Sequence, residues 1–470
     1  MRKKCFNMLA RVICVCMIAV FLSLGFQVKA EESDNKDVVA KPRISISLSE
    51  NSLTLTIKKT LNAKGYLVYG KAQGDEKYSL LANIEEDGTK TRKYTMALNT
   101  SISGTYKIRV KAYNGEIFSK YSKTKKINIS PAISIDYDTV FPSWNKDSGS
   151  LKELVAFVSS CTDMSSTEYL DPAERIAVFD MDGTILCEKA PVYVDYCLTM
   201  YRVLDDPDYN ATEEERDAMQ QIRDHAYSEG KTFHPETLTK DDLVASAFAG
   251  MTPKEFRSYV VNFADNTDVV GFSGMTYGQS FYKPMIEVIE YLKANDFDVW
   301  MVSACEREVV RALVERYNIP YDHVIATDVP YVASGLGDKE ADTYNMSKYE
   351  TILLGAPLDP IECGKSGKSA AIAREIGRIP VLAFGNSSGD YSMLNYAEGN
   401  PEHTGMGFFI VCDDTVREYG DDEKAAEYYA EVEKQGWTSI SMANDWKTIY
   451  GNGVEKTELP GAEDVLQDAA

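Results

Sequence analysis

The run Arg175-Ile-Ala-Val-Phe179 ends in two carboxylates, Asp180 and Asp182, that enter a Gly183-Thr184 turn. An apolar strand that delivers acidic side chains into a glycine turn fits the carboxyl edge of a parallel sheet, where α/β proteins place their chemistry. After Ser303 the chain alternates strand and helix patterns until about Ile410, which predicts a doubly wound, mostly parallel sheet.

Three further stations follow Asp180 in order, each at the end of an apolar run or the start of a helix. Val302-Ser303-Ala304 precedes a helix expected over 306–317, and a hydroxyl beside free helix N–H groups suits an anionic oxygen. Gly364-Lys365-Ser366-Gly367-Lys368-Ser369 supplies an ammonium at the head of a helix; from the residues alone either lysine qualifies. A nucleotide-binding P-loop is excluded, because Glu362 stands where that motif needs glycine. Val381-Leu-Ala-Phe-Gly385 then runs into Asn386 and Asp390, two oxygen ligands four residues apart.

Phosphoryl transfer needs a nucleophile, a proton donor for the leaving oxygen, and positive charge around the moving oxygens. Asp180 fits the nucleophile. Asp182 fits the acid that protonates the leaving alcohol and then activates water. Thr184 and Ser303 fit phosphate-oxygen contacts. Asp180, the Asp182 carbonyl, Asn386 and Asp390 make an oxygen set suited to Mg²⁺.

These four stations resemble, in identity and order across 176–394, the motifs of the haloacid dehalogenase-like (HAD) hydrolases. The resemblance implies Mg²⁺, an aspartyl-phosphate intermediate and, because Asp182 is present, phosphatase or phosphotransferase chemistry, not dehalogenation. It also selects Lys368, since Lys368-Ser-Ala-Ala-Ile372 has the small and then apolar residues that follow the family's lysine. Asn386 stands where many members have aspartate. The segments Phe141–Trp144, Arg175–Lys189, Gly385–Leu394 and Gly436–Trp446 are similar to an exported, phosphoserine-phosphatase-like bacterial group, so the catalytic domain is expected over 140–455. Val302-Ser-Ala-Cys-Glu-Arg-Glu-Val-Val-Arg311 is similar to the corresponding region of secreted phosphorylcholine phosphatases.

Met1-Arg-Lys-Lys4, an apolar stretch from Ile13 to Phe26 and Val28-Lys29-Ala30 read as a secretory signal removed after Ala30, with an uncleaved anchor as the alternative. The expected location is secreted or extracellular, cell surface included, with no membrane span once the signal is cleaved. Its loss leaves 45 basic and 72 acidic side chains, a net −27, which disfavours nucleic acid and anionic lipid as partners. Six of nine cysteines remain, scattered and without a CxxC pair, so neither zinc nor a disulfide pattern is indicated. Residues 31–41 read as a linker and 456–470 as a polar tail. Between 42 and 131, alternating runs such as Leu53-Thr-Leu-Thr-Ile57 and Tyr106-Lys-Ile-Arg-Val110 predict an antiparallel β-sandwich. Gly104–Asn114 resembles the late strands of a fibronectin type III module, with Tyr106 as corner tyrosine and Val110 and Ala112 inward. Such a module acts as a spacer or as a contact to a surface, glycan or partner.

Helical patterns rich in aromatics fill about 189–282 and predict a cap over the site. Tyr193, Tyr196, Tyr201, Phe248, Tyr259, Tyr277, Phe281 and Tyr282 are expected either as helix packing or as an aromatic cage for a quaternary ammonium. Glu188 and Lys189 are open between substrate contact and a surface pair. The leading expectation is a phosphomonoesterase for a small metabolite, with phosphocholine and phosphoserine as candidates. A catalytically silent scaffold used for surface binding is the rival, and a metalloprotease is excluded by the absence of HExxH.

Overall fold

The computed structural model describes residues 38–461 apart from 50–51, 73–74, 87, 98–103, 130–134, 165, 190 and 356–361. The expected leader, the linker up to residue 37 and the tail from 462 onward lie outside the described residues. The chain divides into two compact units, Met1–Ala132 and Ile133–Ala470.

Period-two alternation makes the first unit all-β. Strands β1 (Ile44–Ser49), β2 (Ser52–Lys58) and β5 (Thr91–Ala97) form one antiparallel sheet. Strands β3 (Gly65–Lys71), β4 (Ser79–Glu85), β6 (Gly104–Asn114) and β7 (Ile117–Phe118) form another in the order β4-β3-β6-β7, with β8 (Lys125–Ile129) also on β6. Leu53, Leu55 and Ile57 from one sheet and Val68, Ile108, Val110 and Ala112 from the other share one buried core, so the two inner faces pack as a sandwich. Buried Tyr66 keeps its hydroxyl satisfied, accepting from Thr60 N at 3.0 Å and donating to Glu86 Oε2 at 2.8 Å.

The second unit is built on a six-stranded parallel sheet. Its strands are β9 (Ile176–Phe179), β10 (Asp298–Glu306), β11 (Val324–Thr327), β12 (Leu382–Gly385), β13 (Met406–Val411) and β14 (Thr438–Ser441), in the order β11-β10-β9-β12-β13-β14. From β9 the chain fills one side and then crosses to the other. The switch point therefore lies between β9 and β12, where ligands bind in such sheets. Phe179, Phe384 and Phe408 stack across three adjacent strands, with centroids 4.2 and 5.1 Å apart, immediately beneath that edge.

Between β9 and β10 the chain forms helices α1 (Val194–Met200), α2 (Glu213–Glu229), α3 (Lys240–Phe248), α4 (Pro253–Asn266) and α5 (Lys283–Ala294). Three of them begin with capping boxes, Thr212/Glu215, Thr239/Asp242 and Thr252/Glu255, which occupy orphan N–H groups at each start. Arg257 on α4 pairs with buried Glu308, which also accepts from Arg311 and, at 2.7 Å, from Tyr331. This network ties α4 to helix α6 (Arg307–Val314), which follows β10. Trp144 packs edge-on against Trp446 and donates to Pro284 O at 2.9 Å, joining the start and end of the unit. Among the described residues no helix is long and apolar enough to cross a membrane, and all six cysteines there are unpaired.

Glu306 caps α6 through a 2.8 Å bond from Val309 N, while its other oxygen is buried without a partner. Burial pushes its pKa up to about 8, with the neighbouring Glu308 charge adding to the rise. A raised folded-state pKa means that its contribution to stability is complete below about 4.5 and is lost as pH rises through about 8. Glu306→Gln is therefore expected to flatten the pH dependence of urea unfolding and to be more stable than the parent at pH 8.5 by at least ~1 kcal/mol. Equal slopes in parent and variant would refute this.

Candidate active site

The turn after β9 places Asp180 at the switch point, and main-chain strain fixes its shape. Gly183 has φ +79°, and a Cβ there would stand 2.0 Å from Asn386 Nδ2, so only glycine lets the two turns meet. Asp180 N donates to Phe384 O at 3.0 Å, which carries the sheet hydrogen bonding up to the reactive residue.

Lys368 lies on helix α7 (Ser366–Glu375) and is 2 % exposed. Its ammonium donates to Asp180 Oδ1 at 2.5 Å and to Asp390 Oδ1 at 2.6 Å. Lys365, by contrast, is exposed at the helix entrance. Asp390 Oδ2 accepts from Asn386 N, Ser387 N and Ser387 Oγ at 3.1, 3.0 and 3.2 Å, so both of its oxygens are engaged. Ser303 is buried; its Oγ accepts from Cys305 N at 3.1 Å and borders the same cavity.

Thr184 Oγ1 lies 3.2 Å from both Asp180 Oδ2 and Asn386 Oδ1. The terminal atom of the Asn386 amide that faces this turn is 3.2 Å from Asp180 Oδ2 and 3.0 Å from the Asp182 carbonyl oxygen. As nitrogen it donates to both. As oxygen it completes a trio of acceptors that only a cation reconciles, and spacings near 3 Å match neighbouring ligands around an octahedral ion bound at ~2.1 Å. The donor set therefore fits Mg²⁺, with Asp180, the Asp182 carbonyl and Asn386 as ligands and Asp390 turned away to Lys368. The trio contains a single carboxylate side chain; accordingly, among the described residues no group of three or more His, Cys, Asp or Glu side chains forms a metal cluster.

Burial, then the charge of Asp390, pushes Asp180 up to about 7, against the pull of Lys368. Burial works against the charge on Lys368, but Asp180 and Asp390 together hold its pKa above the ordinary lysine value. Asp182 is held well above its usual range by burial, followed by Asp195, Asp180 and Glu188. Its Oδ1 is buried without a hydrogen-bond partner. Positive charge beside Asp180 and the upward shift of Asp182 set neighbouring carboxylates apart.

Residues 177–395 match the sequence model of the haloacid dehalogenase-like hydrolase family. They form a HAD hydrolase domain. No curated protein matches the chain. Among solved structures, the chain is similar to a protein of unknown function from Bordetella pertussis Tohama I, at 15 % identity over 57 % of this chain and 98 % of that one, TM-score 0.36. It is also similar to cytosolic 5′-nucleotidase IIIB bound to cytidine, at 12 % identity over 66 % and 90 %, TM-score 0.36. The first unit is similar to the fibronectin type III domain of human fibronectin type III domain containing protein 3, at 19 % identity over 21 % and 90 %, TM-score 0.17.

The HAD site opens into a cavity of about 270 Å³. Two charged residues that no local pattern marked stand on its wall: Asp195 on α1 and Lys240 on α3, paired at 2.6 Å. Glu188, Tyr193 and Tyr196 line it as well. Of the other aromatics singled out in the sequence, Phe248, Tyr277, Phe281 and Tyr282 pack in the hydrophobic core, and half-buried Tyr201 and Tyr259 pack against it. Removing Lys368 would leave Asp180 and Asp390 buried and opposed. Lys368→Met is expected to cost about 3–5 kcal/mol in chemical denaturation, and a loss under 1 kcal/mol would show that the lysine does not hold the site together.

Proposed function

We propose that the chain is an exported, Mg²⁺-dependent phosphomonoesterase that acts on a small phosphorylated metabolite through an aspartyl-phosphate intermediate. The observation that supports it most is the pairing, on one cavity, of an Asp180 carboxylate braced by Lys368 with an Asp182 carboxyl whose Oδ1 is buried without a partner and whose pKa burial raises. Asp180 attacks phosphorus as Asp182 gives its proton to the departing alkoxide; Asp182 then takes a proton from the water that cleaves the acyl phosphate. Thr184, Ser303 and Lys368 orient the phosphoryl oxygens. Bound Mg²⁺ would supply further positive charge opposite Lys368. The basic residues followed by an apolar stretch within residues 1–30 support export.

The cavity is at the small end of ligand sites, which favours a metabolite over a polymer. Lys240 is already paired with Asp195 and, at 3.0 Å, Asp241. What remains for the leaving group is acidic and aromatic: Glu188, Tyr193 and Tyr196. This wall suits an amine-bearing alcohol, and phosphocholine fits it more simply than phosphoserine, whose carboxylate would have to draw Lys240 from Asp195.

The full-length chain is expected to hydrolyse p-nitrophenyl phosphate with Mg²⁺ and to lose the activity with EDTA. Asp180→Asn should lower kcat at least a thousandfold and Asp182→Asn at least a hundredfold. Folded, Mg²⁺-loaded protein with no turnover on any phosphomonoester would sink this reading. For the wall, Tyr193→Leu should raise KM for phosphocholine roughly three- to thirtyfold, while p-nitrophenyl phosphate is little affected; parallel changes for both substrates would remove the aromatic contact.

A further inference from the structure

Residues 42–131 carry sixteen lysines and arginines against seven acidic residues, a net +9, within a chain of net −22. Sheet register gathers part of this charge. Lys71 on β3 stands opposite Lys107 on β6, and Lys107 stands opposite Lys126 on β8. Like charges directly opposed across strands destabilise a sheet, so folding alone does not favour three lysines in one row. Lys71 Nζ donates to the Glu76 carbonyl at 3.0 Å. Among the described residues no carboxylate lies within ion-pair distance of Lys71, Lys107, Lys126, Arg109 or Lys111.

A rigid aromatic platform adjoins this row. The Arg109 guanidinium lies between the rings of Tyr78 and Tyr121, 3.8 Å from each centroid, and Tyr69 meets Tyr121 edge-on at 5.5 Å. Lys111 stands 4.5 Å from the Tyr121 ring. Tyr69, Arg109 and Lys111 belong to the outward positions of β3 and β6, where alternate residues fill the core, and Tyr78 and Tyr121 come from the segments just before β4 and after β7.

We propose that this face binds an anionic polysaccharide with one carboxylate per sugar ring. Neighbouring strands are ~4.8 Å apart, a spacing close to the ring repeat of an extended uronate chain, so successive lysines meet successive carboxylates. The tyrosine rings offer flat apolar surface to the C–H faces of the sugars. Duplex nucleic acid presents its charge far more densely, about one per 1.7 Å of axis, than a chain with one carboxylate per ring. The lysines form a row across three strands of one sheet, which suits a laid-down polymer better than a bilayer. This site is independent of the hydrolytic one.

The test is titration of the full-length chain into fluorescently labelled polygalacturonate, with dextran, a single-stranded oligonucleotide and phosphatidylserine vesicles as comparisons. Saturable, salt-sensitive binding to polygalacturonate and none to dextran is expected. The Lys71→Gln/Lys107→Gln/Lys126→Gln variant should bind at least tenfold more weakly, with unchanged p-nitrophenyl phosphate hydrolysis and equal or higher Tm, because the repulsion in the row is relieved. If that variant fails to fold, Lys126→Glu, at an exposed position, should still weaken binding at least threefold. No binding by the parent at low salt, or variant affinity within twofold of the parent, overturns the proposal. Equal or tighter binding of the oligonucleotide or the vesicles overturns the assignment to a polysaccharide.

Discussion

One buried ammonium organises the catalytic unit. The ends of β9 and β12 bring Asp180 and Asp390 together at the switch point of the sheet, in a place that burial makes hostile to two negative charges. Lys368 bonds to both at 2.5 and 2.6 Å and lets them coexist. Asp390 in turn gathers the Asn386 and Ser387 amides and so shapes the turn that carries the Asn386 amide to Gly183. The stacked phenylalanines below keep β9, β12 and β13 in fixed relation, so the loops above meet with little freedom. The candidate nucleophile Asp180 and the turn that carries Asn386 both depend on that shared ammonium.

Much of this was legible because its causes are local. An apolar strand running into acidic residues and glycine announces the edge of a parallel sheet, and it does so at Asp180 and again at Asn386. The β-sandwich announces itself through period-two alternation, and the cap through helical patterns rich in aromatics, whereas its capping boxes emerge from the structure. The choice between Lys365 and Lys368 was not local. Both sit near the head of one helix, and packing decides: Lys365 is left in solvent with φ +51°, while Lys368, almost a turn later, faces the sheet.

Other features depend on distances that no sequence pattern records. Asp195 and Lys240 lie on different cap helices, and only their packing makes them one ion pair on the cavity wall. The lysine row depends on the register of β3, β6 and β8, since a one-residue slip would move each lysine to the other face. The aromatics of the cap looked alike in the sequence; Tyr193 and Tyr196 reach the cavity, whereas Phe248, Tyr277, Phe281 and Tyr282 are buried in helix packing.

The most direct measurement is to find where phosphorus becomes covalently attached. The full-length chain would be mixed with a phosphomonoester and Mg²⁺, quenched in acid, reduced with borohydride and mapped by peptide mass spectrometry. An acyl phosphate at Asp180 would be read as homoserine at that one position, which is the result the account predicts. Modification at another residue, or rapid turnover with none trapped at Asp180, would contradict it.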